Sequence, residues 1–147
     1  MIASLHVATG AAAGALVGSP RRALALGPVL HLAADLVPHE DIGSHRFETA
    51  TAVAALLALA ALRGPFDPAT LGGAAAAAPD VEHVVRLPRP RGRKLFPTHR
   101  GAGRHTPLGL PTWVQLLAAG TLLGLLFPAA RLAPLAGARP RFSRWNR

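Results

Sequence analysis

LHVATGAAAGALVG, residues 5–18, decides the fold. Gly10, Gly14 and Gly18 stand four apart, so on a helix they share one face. Small residues at that spacing let two helix backbones approach closely. The rest of the chain matches this pattern. Its 147 residues are 50% hydrophobic, but the apolar content is mainly Ala, Leu, Gly and Val, with no Tyr and one Met. That composition predicts closely packed helices rather than a core of large side chains. His6 lies four residues before Gly10 and shares its face, so it points at neighbouring helices.

Working outward, five apolar segments stand out: 2–18, 23–38, 48–62, 69–87 and 108–127. Pro and Gly punctuate each break, from SPRR at 19–22 to the long RLPRPRGRKLFPTHRGAGRHTP at 86–107. Nothing alternates as a strand would. Pro28 inside the second segment predicts a kink or a late start. A membrane span needs roughly 20 apolar residues. Segment 108–127 meets that length and 2–18 meets it narrowly, whereas the others are short and alanine-rich. Five such segments leave little polar surface for a water-soluble fold. The expectation is an all-α, small integral membrane bundle of about five short Gly/Ala-rich helices over residues 1–130. Residues 131–147 read as a disordered basic tail. The rival is a soluble or peripheral helical domain with an Ala-rich core. No basic stretch precedes the first segment, so 2–18 reads as a retained helix rather than a signal peptide.

Cysteine is absent, which excludes disulfides, thiolate metal sites and a cysteine nucleophile. Charge is segregated: all seven acids lie at or before Glu82, and twelve of the sixteen basic residues lie at or after Arg86. A cationic C-terminal third suits anionic lipid, phosphate or nucleic acid. If the five segments span, each side of the membrane carries eight basic residues, so charge bias does not orient the chain.

The same alternation gathers the histidines. His6, the exit of the second segment with His39 and Asp41, the exit of the fourth with Asp80, Glu82 and His83, and the loop holding His99 and His105 all fall on one side. His31 and Asp35 lie deeper, in HLAADLVPHED at 31–41. His31, Asp35 and His39 follow at i, i+4, i+8, and Asp80 and His83 at i, i+3, so each helix offers imidazole and carboxylate from one face. Nitrogen and carboxylate donors suit Zn²⁺, and without thiolates also Mn²⁺ or Fe²⁺. His–Asp hydrogen bonding alone, or a proton relay, would use the same residues.

PDVEH at 79–83, the histidine helix LHVATGAAAG and THRGAGRHT at 98–106 resemble the YdjM-like family of membrane-bound metal-dependent hydrolases. That family shows a histidine opening a glycine-rich first helix, then a P-D-x-D-H motif, then an H-R-G-x-T-H-S motif. His6 matches the first; Pro79, Asp80 and His83 match the second, with Glu82 in place of Asp; His99, Arg100, Gly101 and His105 match the third. The third motif is one residue longer here, and Arg104 precedes His105 where Thr is usual. HLAADLVPHED is similar, more loosely, to the H-x-x-x-D helix of this group. The resemblance implies a multi-pass inner-membrane protein with metal-dependent hydrolase activity.

The resulting expectation assigns His6, Asp35, His39, Asp80, His83 and His105 as ligands of a divalent ion, zinc first, with His31 and His99 supporting them. The metal would activate a water, with Glu82 or Asp41 as general base. Lys94, Arg100 and Arg104 beside the site point to an anionic substrate, a phosphoester or a lipid headgroup, with the bilayer as partner. The alternative is a non-enzymatic membrane protein with a structural His/Asp metal site or a scaffold role. Specific nucleic-acid binding is not expected, because no reading motif accompanies the arginines.

Overall fold

The computed structural model describes residues 1–100 and 106–131. It is all-helical: α1 Ala3–Val17, α2 Pro20–Asp35, α3 His45–Arg63, α4 Pro68–Ala77, the single turn α5 Val81–Val84, and α6 Thr112–Arg131. Of the basic tail expected at 131–147, Arg131 ends α6, and 132–147, with Arg104 and His105, lies outside the described residues.

Helix boundaries follow local chemistry. Pro20 opens α2 at its first turn, where a missing N–H costs nothing. The helix then continues through Pro28 to Asp35, so neither a late start nor an interruption occurs there. Asp67 caps α4, its carboxylate accepting the Ala69 N–H at 2.8 Å while also pairing with Arg63 at 3.1 Å. Gly18 ends α1 in the left-handed conformation (φ 61°), with its N–H on the Gly14 carbonyl. The fourth segment is shorter than its apolar run suggests. α4 stops at Ala77, a 3₁₀ turn carries Pro79 and Asp80, and α5 follows. Residues 108–111, expected to begin the last helix, instead lie with Thr106 and Pro107 against the end of α2. Leu110 donates to the Pro38 carbonyl at 2.8 Å, and Glu40 and Thr106 donate to Leu110 and His39.

α4 is the central element, packed on both α1 and α2. The glycine face read from the sequence makes these contacts. A Cβ on Gly10 would sit 2.5 Å from the Ala76 Cβ, and one on Gly14 would sit 2.8 Å from the Pro68 carbonyl carbon. Gly27 of α2 is seated equally tightly, 2.5 Å from Ala75 Cβ. Small residues on both partners therefore bring three backbones together, and the core around them holds Val7, Ala11, Ala55, Leu59 and Ala69. A second cluster, Ile2, Leu5, Ala8 and Ala119, joins α1 to α6.

Gln115 locks the far end. Fully buried, it accepts from the Ile2 N–H at 3.0 Å and donates to the Glu40 and Leu110 carbonyls at 2.8 and 2.9 Å. A lone glutamine in an apolar helix was the available signal for this role.

Among the described residues, α3 is the one helix long and apolar enough to cross a membrane. α1 and residues 112–127 of α6 are apolar but shorter.

Candidate metal centre

The helix packing converges on a polar cluster. α1 contributes His6, and α2 contributes His31 and Asp35 one turn apart. The turn after α4 contributes Asp80, and the segment after α5 contributes His99. His6, His31 and Asp35 are buried, and the His99 side chain is nearly so.

Hydrogen bonds to obligate acceptors fix which nitrogen each ring presents. His31 Nδ1–H donates to the Ala76 carbonyl at 2.8 Å, and His99 Nδ1–H donates to Glu82 at 2.5 Å. Each therefore turns its Nε2 inward, as a lone pair when the ring is neutral. His31 Nε2 lies 3.2 Å from Asp35 Oδ2 and 3.8 Å from Asp80 Oδ1. His99 Nε2 lies 3.7 and 3.5 Å from the same two oxygens, and 3.3 Å from His31 Nε2. Facing lone pairs and two carboxylates repel unless a cation sits among them. A proton on His99 does this in part; a divalent ion balances both carboxylates.

Glu82 organises the approach. Its carboxylate is buried and accepts from the Leu95 N–H at 2.6 Å and the Phe96 N–H at 3.1 Å, besides His99. The segment it holds is braced from outside by Arg100, which donates to the Lys94 and Leu95 carbonyls at 2.6 and 2.9 Å. Burial would raise the Glu82 carboxyl, but the Leu95 and His99 hydrogen bonds hold it below its ordinary range. Burial would also lower His99, yet its bonds to Asp80 and Glu82 push it up.

The remaining expected residues lie around this core. His83 is exposed, packs edge-on against His99 with centroids 4.2 Å apart, and meets Lys94 Nζ at 3.0 Å. Desolvation and the neighbouring His99 and Lys94 charges push it down to about 4. His39 is fully buried. Its Nδ1–H donates to the Val37 carbonyl at 2.7 Å, and its Nε2 meets the Met1 amino group. Asp41 is exposed, 3.7 Å from His39 Nε2. Asp35, Asp41, Asp80, His83, Lys94 and His99 all line one cavity of about 390 Å³. Arg100 lies beyond it, in a shallower recess with Arg93 and Lys94.

Two triads have donor atoms close enough for one ion: His6, His31 and Asp35, and His31, Asp80 and His99. His31 and His99, expected in supporting positions, thus stand at the centre of the donor set. Glu82, expected as a base, has its carboxylate turned to two backbone N–H groups and His99. No family model, curated protein or solved structure matches the chain.

Proposed function

We propose that this chain is a membrane-embedded, metal-dependent hydrolase of the YdjM-like kind, acting on an anionic phosphoester or lipid headgroup. One observation carries the metal reading. Four donor atoms, His31 Nε2, His99 Nε2, Asp35 Oδ2 and Asp80 Oδ1, are separated by 3.2–3.8 Å in the five pairs described above. A tetrahedral zinc ion with bonds of about 2.0–2.1 Å requires donor separations of roughly 3.3 Å. Histidine and carboxylate donors equally suit Mn²⁺ or Fe²⁺.

A bound ion supplies Lewis acidity and lowers the pKa of a coordinated water. The chain's residues do the rest. Glu82 fixes the tautomer of His99, a role that typically strengthens a ligand. Asp41, which lines the cavity together with Glu48, would take a proton. Lys94 projects positive charge into the same cavity and favours an anionic substrate.

The membrane assignment is supported by α3, which is apolar yet has only 17% of its spanning window buried within the structure. Leu16 on α1 and Leu117 and Leu125 on α6 extend that apolar exterior over other helices. A multi-pass bundle would place these side chains in lipid.

One observation favours a second reading. Four protein donors complete a tetrahedral zinc shell, as in structural sites, so the ion would then brace α2 against the segments after α4. Metal analysis of detergent-purified protein tests the centre, and turnover of bis(p-nitrophenyl) phosphate separates the two readings. We expect at least one divalent ion per chain, lost in His31→Ala and Asp80→Ala, with chelator-sensitive turnover. Metal-free wild type, or equal metal in all three proteins, would sink the centre; bound metal without turnover on this or lipid phosphodiesters favours the structural reading.

A further inference from the structure

We propose that the centre holds two cations, bridged by the Asp35 carboxylate, with His6 and His39 serving the second. This rests on the metal-centre reading above. The two triads overlap at His31, and His31 has one nitrogen to give, because Nδ1–H is committed to the Ala76 carbonyl. A nitrogen lone pair ligates one ion. The set His31, Asp80, His99 and Asp35 Oδ2 already uses it, so His6 is left without a share in that ion through His31.

His6 has a different partner. The two Asp35 oxygens face opposite ways. Oδ2 meets His31 and His99, whereas Oδ1 lies 3.1 Å from His6 Nε2 and 3.1 Å from the Met1 amino nitrogen. A carboxylate used from both oxygens sets two ions about 3.5–4 Å apart, the spacing of two-metal hydrolytic sites.

The second position has its own donors. His39 Nδ1–H is committed to the Val37 carbonyl, which leaves Nε2 as a lone pair. The Met1 ammonium touches both that nitrogen and Asp35 Oδ1, so a positive group is seated where His39 and Asp35 Oδ1 meet. His6 is completely buried, and its Nδ1 has no hydrogen-bond partner. Its Nε2 is therefore the nitrogen aimed at the polar cluster, 3.1 Å from Asp35 Oδ1, and is the atom placed to ligate. Two divalent ions against the charges of Asp35 and Asp80 leave the centre positive, which suits a phosphoester bridging them.

The test is stoichiometry in the full chain. Detergent-purified protein is stripped with chelator and titrated with Mn²⁺, with bound metal counted by elemental analysis and spin coupling read by electron paramagnetic resonance. Wild type should bind two ions per chain with a coupled signal. His39→Gln and His6→Gln should bind one, uncoupled, while still melting cooperatively. Saturation of wild type at one ion overturns the pair and leaves the single centre standing. Two ions in wild type but also in both variants overturn the assignment of His6 and His39. No bound ion in wild type removes both readings together.

Discussion

Gly27→Ala pits helix propensity against packing. On an exposed helix surface the change stabilises by roughly 0.5–1 kcal/mol, because alanine loses less backbone freedom on folding. At Gly27 the new Cβ would lie 2.5 Å from Ala75 Cβ and 2.6 Å from the Ala76 amide nitrogen. Carbon atoms rest at about 3.5–4.0 Å, so α2 and α4 must separate by roughly 1 Å. Overpacking of this kind costs about 1–3 kcal/mol, which exceeds the propensity gain. The net expectation is a loss of up to about 2 kcal/mol, or several degrees of melting temperature in a chain of this size. The shift also reaches the site. His31 lies one turn along α2, and its 2.8 Å bond to the Ala76 carbonyl crosses the interface being opened. Metal affinity should fall about 10–100-fold, the usual consequence of losing a hydrogen bond that orients a ligand. Gly120→Ala is the control, since nothing lies within 4 Å of a Cβ there. Thermal melts and zinc isotherms in one detergent compare the two. If Gly27→Ala melts higher, as Gly120→Ala should, and keeps its zinc affinity, the tight α2–α4 contact is refuted.

Other perturbations separate the parts of the site. In Glu82→Gln an amide N–H must face one of the donors now on the carboxylate, so zinc affinity should drop about 10–100-fold; hydrogen exchange at Leu95 and Phe96 should quicken, and unchanged exchange would count against Glu82 as the anchor. Asp67→Ala removes the cap of α4 and the Arg63 pair and should cost about 0.5–2 kcal/mol in a melt while leaving metal content unchanged. Zinc affinity should rise with pH: the bonds to Asp80 and Glu82 raise His99, so its proton competes above the ordinary imidazole range. Isotherms across that range should level off at lower pH in Glu82→Gln, where one of those bonds is lost. Chelation should lower the melting point, since an ion at about 100 times its Kd stabilises by about 2.7 kcal/mol; an unchanged melt would mean no ion was bound.

The helical class and most helix positions were legible because Gly, Pro and apolar period report directly on backbone. Pro79 stood in the sequence as a reason for the fourth segment to break, but its alanine run concealed how early α4 ends. The start of α2 was placed at Ala23 although SPRR carries Pro at a first-turn position, where it opens the helix three residues sooner. The spacing of His31 and Asp35 gave a shared face correctly. It said nothing about which ring atom would face inward. That choice is made by the Ala76 carbonyl, 45 residues away along the chain, and for His99 by Glu82, 17 residues away. The expectation put His31 and His99 in supporting positions and Glu82 as a base; the structure brings the first two among the candidate donor atoms and turns the Glu82 carboxylate to His99 and two backbone N–H groups. Gln115 stood out as a lone polar residue in an apolar helix, but its partners Ile2, Glu40 and Leu110 were not legible for the same reason.

Ala76 shows why the glycine face and the histidine cluster are one device. Its Cβ lies where a side chain on Gly10 would have to go, so its small size sets how near α1 approaches α4. Its amide nitrogen stands equally close to the missing side chain of Gly27, which sets the approach of α2. Its carbonyl then takes the His31 Nδ1–H. α1 carries His6 four residues before Gly10, and α2 carries His31 four residues after Gly27. Each contact glycine is thus one helical turn from a ring of the centre, and the two rings stack with centroids 3.9 Å apart. A bulkier residue at Gly10 or Gly27 would push α1 or α2 off α4 and carry His6 or His31 with it. The small-residue pattern that reads as a packing motif therefore also sets the spacing of the candidate metal centre.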